Sequence, residues 1–226
     1  MPRPADKRAK IELLRAAEAV FVEHGLIASK VEDITARAGV SKGAFYLHFD
    51  SKDDCWRQIV EAFLAKLATC LDTPPALGPG SAADAFAAQL ATWHAHDVEI
   101  FEFCWLNRGL MGLLFTGGGG APYAYLMDEF AERVSAKIEG WARQMMAAGV
   151  YRPDVDPTLL PSLISGGYER VVRMMLKQPR RPDLEAWARQ VQAFFIRGLL
   201  TDGARAILDR KVSDEASVTE RRARER

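Results

Sequence analysis

The chain has 226 residues, of which 49% are hydrophobic and 27% charged, the profile of a soluble globular protein with ample core. No run of about 18 uncharged apolar residues occurs, which argues against a membrane span, and the polar, basic start Met1–Lys10 lacks the apolar segment of a secretory signal. Thirty Lys and Arg balance thirty Asp and Glu, so net charge speaks neither for nor against a polyanionic partner. The three cysteines, Cys55, Cys70 and Cys104, are odd in number, widely spaced and without a CxxC. They read as buried thiols of a cytoplasmic protein and not as a disulfide or zinc framework.

Helical periodicity dominates, and no segment alternates as a strand. The first helix is expected from about Ala5 to His24, with Leu13, Leu14, Ala17, Val20 and Phe21 on one stripe. Gly25 stands where a left-handed residue ends such a helix. Ser29, followed three residues later by Glu32, reads as a capping box that opens a second helix. Val31, Ile34 and Ala38 form its buried face and Gly39 ends it. Ser41 is a good N-cap for a third helix over Lys42–His48, anchored by Phe45 and Phe49. A fourth helix starts near Ser51, with Asp53 and Asp54 at its positive end, and runs to about Asp72. Its stripe is Trp56, Ile59, Val60, Phe63, Leu67 and Leu71.

The segment TPPALGPGS, residues 73–81, is the clearest break. Helices over Ala82–His96 and Asp97–Phe115, a flexible loop at Gly117–Gly120 and a long helix over Pro122–Ala148 are expected next. A polar turn from Gly149 leads to two final helices, Pro157–Lys177 and Pro182–Leu208, separated by helix-blocking prolines. The last sixteen residues are charged and almost without apolar side chains, so they are expected to be disordered or a loose helix.

Helix, capped helix, glycine turn and capped short helix is the layout of a helix-turn-helix. Away from Phe45 and Phe49, the third helix carries Lys42, Gly43, Ala44, Tyr46 and His48. Small residues let a backbone approach base edges, and hydrogen-bonding side chains reach phosphates. The major groove admits one helix, so one short helix suffices. Residues 1–58 carry ten Lys and Arg against nine Asp and Glu, so contact with DNA must come from the placement of a few charges. Lys7, Arg8 and Lys10 form either a basic arm near the minor groove or a solvated terminus.

The stretch AGVSKGAFYLHFDSKDD, Ala38–Asp54, with GLIASKVEDITARAG before it, resembles the signature of the TetR family of bacterial repressors. The resemblance covers about Arg8 to Ile59; the remainder is similar only in length, helix count and the layout of its last two helices. It implies that Ser41, Lys42, Gly43 and Ala44 open a recognition helix facing the groove, and that Tyr46 and His48 contact phosphates. It also implies phosphate contacts from Lys52, at the start of the fourth helix, from Ser29 and Lys30, and from Thr35 on the second helix's outer face. Leu47 either meets a thymine methyl or packs.

One helix-turn-helix reads only a few base pairs, so a homodimer on palindromic double-stranded operator DNA is expected. Candidate interface residues are Leu163, Gly167 and Met174 on a helix apolar on two sides, and Trp187, Val191, Phe194, Phe195 and Gly198 on the last. The resembled family forms a four-helix interface there; a wholly intramolecular core is the other reading. The middle helices hold many large apolar side chains with sparse polar groups among them, which suits a small-molecule effector that is largely apolar or aromatic. Helical spacing suggests Trp93, Cys104, Arg108, Met111, Phe130, Trp141 and Tyr168 as its lining.

No catalytic constellation or metal site is found. His94 and His96 lie two apart on a helix and point to different sides, Gly117–Gly120 lacks a phosphate-binding context, and no GxSxG occurs. No cofactor is expected. The expectation is an all-α chain of about nine helices. An N-terminal helix-turn-helix DNA-binding domain spans 1–50 and a C-terminal ligand-binding and dimerisation domain 51–210, with helix 51–72 connecting and 211–226 as a tail. Its expected function is that of a cytoplasmic, ligand-responsive transcriptional repressor. A ligand-sensing activator, or an enzyme with an unrecognised activity in the C-terminal part, are the alternatives.

Overall fold

The computed structural model describes residues 7–71, 82–115 and 124–210. The expected break at 73–81, the glycine loop 117–120 and the tail 211–226 lie outside the described residues. Among the described residues the chain is all-α, with ten helices and no strand. These are α1 (Lys7–Ala28), α2 (Val31–Ala38), α3 (Lys42–Tyr46), α4 (Lys52–Cys70), α5 (Ala82–Leu106), α6 (Arg108–Phe115), α7 (Ala124–Ala147), α8 (Leu160–Met175), α9 (Leu184–Leu199) and α10 (202–210). They belong to two compact units, one drawn from Met1–Thr69 and Cys104–Glu132, the other from Cys70–Phe103 and Arg133–Arg226.

In the first unit, α1 buries Leu13, Ala17, Val20 and Phe21 of the stripe its spacing predicts and half-buries Leu14. α4 buries Cys55, Trp56, Ile59, Val60, Phe63, Leu64 and Leu67. Phe21 meets Trp56 edge to face, with centroids 5.4 Å apart, a geometry that contributes about 0.5–1.5 kcal/mol beyond burial. α6 comes to α1 through Gly109, where a Cβ would lie 2.9 Å from Val22 Cγ1. Burial lifts the Cys55 thiol to about 12, so this cysteine is an inert core group.

Two local expectations are corrected here. Gly25 is not in the left-handed helical region: at φ 75° and ψ 162° it occupies a region essentially reserved for glycine, and it bends the chain between the body of α1 and its last turn. The N-cap of α2 is Lys30, one residue later than Ser29. The Lys30 backbone N–H donates to Asp33 Oδ2 at 3.1 Å, the side-chain half of a capping box shifted by one. The bend at Gly25 turns Ser29 inward, where its hydroxyl donates to Gly25 O at 2.6 Å and Val20 O at 3.3 Å.

In the second unit, α5 continues through His96 and Asp97, where a helix boundary was expected, because no residue there breaks a helix. The interruption falls at Asn107, between α5 and α6. α7 ends on Gly149 at φ 72°, with the N–H groups of Gly149 and Val150 donating to the carbonyls of Met146 and Met145, both at 3.0 Å. The chain then pairs Tyr151 with Leu200 in an isolated antiparallel bridge. Arg152 N–H donates to Leu199 O at 2.8 Å and Thr201 N–H to Val150 O at 3.0 Å. That pairing holds Leu200 extended and splits the helix expected over Pro182–Leu208 into α9 and α10. Thr201 Oγ1 caps the second piece by accepting from Ala204 N–H at 3.3 Å. Phe86, Ala142, Met145, Tyr151, Leu160, Ile196 and Leu200 pack around this crossing.

No helix among the described residues is long and apolar enough to cross a membrane. Gly25→Ala forces a Cβ into a conformation that L residues rarely adopt, although the space around it is open. A loss of about 1–3 kcal/mol in denaturant unfolding is expected.

Candidate nucleic-acid interface and neighbouring sites

The turn into α3 is built from glycine and serine. Gly39 sits left-handed at φ 67° and ψ 30°; its N–H donates to Ala36 O, and Val40 N–H donates to Thr35 O at 3.0 Å. Ser41 follows in an extended conformation, and its Oγ accepts from Ala44 N–H at 3.3 Å. α3 is two residues shorter than expected and ends at Tyr46. Phe45 and Phe49 are buried beneath it with rings 5.1 Å apart.

Burying Phe45 points the opposite side of α3 to solvent. Ser41, Lys42, Gly43, Tyr46 and Leu47 are exposed, Leu47 by 60%, while Ala44 and His48 are half-buried. Lys30 is exposed at the start of α2. These residues occupy one stretch from α2 into α3. Two expected phosphate contacts are placed otherwise. Ser29 is buried and its hydroxyl is spent on main-chain carbonyls. Thr35, expected on the outer face of α2, is buried, and its hydroxyl donates to Glu32 O at 3.1 Å. Lys52 is half-buried, with its ammonium on the carbonyls of Leu26, Ile27 and Ser29.

Carboxylates accompany the exposed cations: Glu32, expected as a capping partner of Ser29, and Glu23, which the sequence reading passed over. Glu32 accepts from Lys42 Nζ at 2.6 Å; this hydrogen bond holds the Glu32 carboxyl below its ordinary range and raises the Lys42 ammonium. Arg37 donates to both carboxylate oxygens of Glu23, at 2.8 and 3.0 Å. Lys10 lies 5.6 Å over the Phe49 ring, which places it beside α3.

The proposed effector residues divide between the units. In the first, Cys104 and Met111 are buried, Phe130 is half-buried, and Arg108 is exposed with its guanidinium 5.0 Å over the Trp105 ring. In the second, Trp93 and Trp141 meet edge to face at 5.4 Å, within an aromatic group that includes Phe86 and Tyr151. Tyr168 belongs to another ring group, 5.7 Å from Phe101 and stacked 6.1 Å from Phe195. Its hydroxyl hydrogen-bonds Asp97, which the sequence reading missed. Burial raises the Asp97 carboxyl to about 7, against the opposing effect of that hydrogen bond. Among the described residues, no group of three His, Cys, Asp or Glu could hold a metal ion.

On α8 and α9, Leu163 (60%), Met174 (47%) and Phe194 (78%) are exposed, Gly198 is exposed, and Trp187, Val191 and Phe195 are half-buried. Gly167 has a role inside the chain: a Cβ there would lie 2.6 Å from Phe195 Cζ, so it lets α8 and α9 approach each other.

Folding raises the Asp97 pKa, so its ionised form costs stability that is lost as pH climbs from about 4 to about 7. Asp97→Asn keeps an acceptor for Tyr168 and carries no charge. In unfolding curves taken at several pH values it should gain on the wild type through that window by about 3–4 kcal/mol, then hold a constant difference above it.

Comparison with known proteins agrees with this geometry. Residues 13–59 match the profile of bacterial regulatory proteins of the tetR family. The HTH-type transcriptional repressor DhaR of Mycobacterium sp. (strain GP1) is 25% identical over 178 residues, 75% of this chain and 84% of that protein. The HTH-type transcriptional repressor KstR2 of Rhodococcus jostii (strain RHA1) is 41% identical over 71 residues, 29% of this chain and 35% of that one. Among solved structures, SmeT, the repressor of the Stenotrophomonas maltophilia multidrug efflux pump SmeDEF, shares the fold with a TM-score of 0.68 at 21% identity, covering 86% of this chain and 92% of that chain. The helix-turn-helix thus lies inside a segment, residues 13–59, that carries the sequence of the TetR family of bacterial regulatory proteins, on an all-α fold that such regulators share.

Proposed function

We propose that this chain is a ligand-responsive transcriptional repressor that binds a palindromic operator as a homodimer and lets go when a small apolar or aromatic effector binds. The observation that carries the reading is the outward side of α3. Lys42, Gly43 and Tyr46 face solvent from a helix that Phe45 and Phe49 anchor from within. A short helix held by its inner face and presenting small and hydrogen-bonding residues is what the major groove admits. Lys30, Ser41, Lys42, Gly43, Ala44, Tyr46 and His48 are its proposed DNA contacts. DhaR and KstR2 are both named repressors, which supports repression over activation.

The apolar side chains that α8 and α9 leave in water support pairing of two copies. Phe194 exposed by 78%, with Leu163 and Met174 also exposed, is a costly surface for a monomer. In a dimer the two recognition helices would address half-sites about 34–36 Å apart. For the effector, the aromatic groups around Trp93 and Trp141 and around Tyr168 with Asp97 supply apolar contact and a few polar groups. An effector that binds the DNA-free conformation better than the DNA-bound one shifts the population by its differential affinity.

A duplex selected by the wild-type protein from a randomised pool tests the DNA reading. Tyr46→Ala and Lys42→Ala should each weaken binding to it by about 1–3 kcal/mol without loss of helical signal, in gel-shift titration. Unchanged affinity in both variants would remove α3 as the reading element. Phe194→Glu buries a charge in the proposed interface and should shift sedimentation towards monomer, with loss of tight binding to the palindrome. A variant that sediments as the wild type does would place the interface elsewhere.

A further inference from the structure

We propose that Lys52 is a positioning residue that ties the first turn of α4 to the α1–α2 junction, and that it does not contact phosphate. The inference rests on the reading of α2 and α3 as the DNA-binding element. The Lys52 ammonium has three N–H groups. It lies 2.6 Å from Leu26 O, 2.8 Å from Ser29 O and 3.3 Å from Ile27 O. These carbonyls belong to the segment where α1 ends, and terminal carbonyls of a helix have no partner within it. A cation there also meets the negative end of the helix dipole. Swinging the side chain out to a phosphate would break charge-assisted hydrogen bonds and strip the carbonyls of their donor.

The same few residues are held from other directions. Gly25 makes the bend at φ 75° and ψ 162°. From inside, the Ser29 hydroxyl donates to Gly25 O and Val20 O. α2 begins immediately afterwards, its first turn fixed by Lys30 N–H on Asp33 Oδ2. The direction in which α2 leaves, and with it the exposed Lys30, therefore depends on the carbonyls that Lys52 grips. Lys52 is also the first residue of α4, whose following turn is sunk in the core at Cys55 and Trp56. The contact makes the start of α4 and the start of α2 move as one piece. A shift of α4 would thus reach the DNA-facing helices directly.

The test uses full-length protein at a temperature where circular dichroism shows it folded. Lys52→Met is titrated against the duplex selected by the wild type and against poly(dI-dC), each over a range of salt concentrations; Lys30→Met, an exposed cation proposed to touch phosphate, is run beside it. For Lys52→Met, affinity for the selected duplex should fall by about tenfold or more. Affinity for poly(dI-dC) should stay within about twofold, and the slope of log K on log salt should stay at the wild-type value. Lys30→Met should lower that slope by about one on both DNAs. If Lys52→Met behaves as Lys30→Met does, Lys52 is a phosphate contact and the proposal is overturned. If its affinity for the selected duplex is unchanged while only thermal stability drops, the contact is packing alone and the proposal is equally overturned. Should Lys52→Met not fold, Lys52→Gln, which keeps two neutral donors for the carbonyls, should hold affinity with an unchanged salt slope; a slope lower by about one overturns the proposal there too. Failure of the wild type to select any sequence would instead overturn the DNA reading itself.

Discussion

A helix of five residues does not persist in water, where isolated helices shorter than about 12–15 residues are marginal. α3 persists because Phe45 and Phe49 are buried under it, Ser41 caps it, and α1 and α2 pack against it. Every exposed residue of α3 inherits its position from those two rings. The same constraint fixes which residues can face a partner: with Phe45 inward, Gly43 and Leu47, two residues to either side, have to point out. The site is thus a by-product of core packing and needs no separate scaffold.

Electrostatics divides the cations near this surface into two kinds. Arg37 is paired with Glu23, Lys42 with Glu32, and Arg57 with Asp54, while Lys52 grips main-chain carbonyls. A surface so nearly neutral attracts polyanions weakly at long range. Its hold on DNA has to come from fit and from a few well-placed hydrogen bonds, so a small displacement of α2 or α3 costs much of the affinity. That sensitivity is useful in a switch.

Much of the first unit was legible in the sequence because its signals are local. The stripes of α1 and α4, the glycine after α2, the serine before α3 and the Phe45–Phe49 pair each act within a few residues, and each appears in the structure. What the sequence did not show comes from effects that reach further. Ser29 has the right chemistry for a cap, but the bend at Gly25 turns it inward. Lys52 looks like a phosphate contact by position, yet carbonyls 23 to 26 residues away hold it. Helical periodicity ran unbroken across Leu200 because the cause of the break, its pairing with Tyr151, is non-local. Spacing singled out Gly167 without showing its close approach to Phe195 of the same chain. Large apolar residues at helical spacing could not be sorted into lining and core, since both occupy the same helix face.

The chain as a whole resembles known regulators in fold at low identity, whereas residues 13–59 carry the family's sequence. The most direct measurement is hydroxyl-radical labelling of the protein with and without its selected duplex, read by mass spectrometry at single side chains. Tyr46 and Leu47, both exposed in the free chain, should lose about half or more of their labelling in the complex, as groups sealed in a groove do. Undiminished labelling at both residues in a saturated complex would contradict a DNA-facing α3.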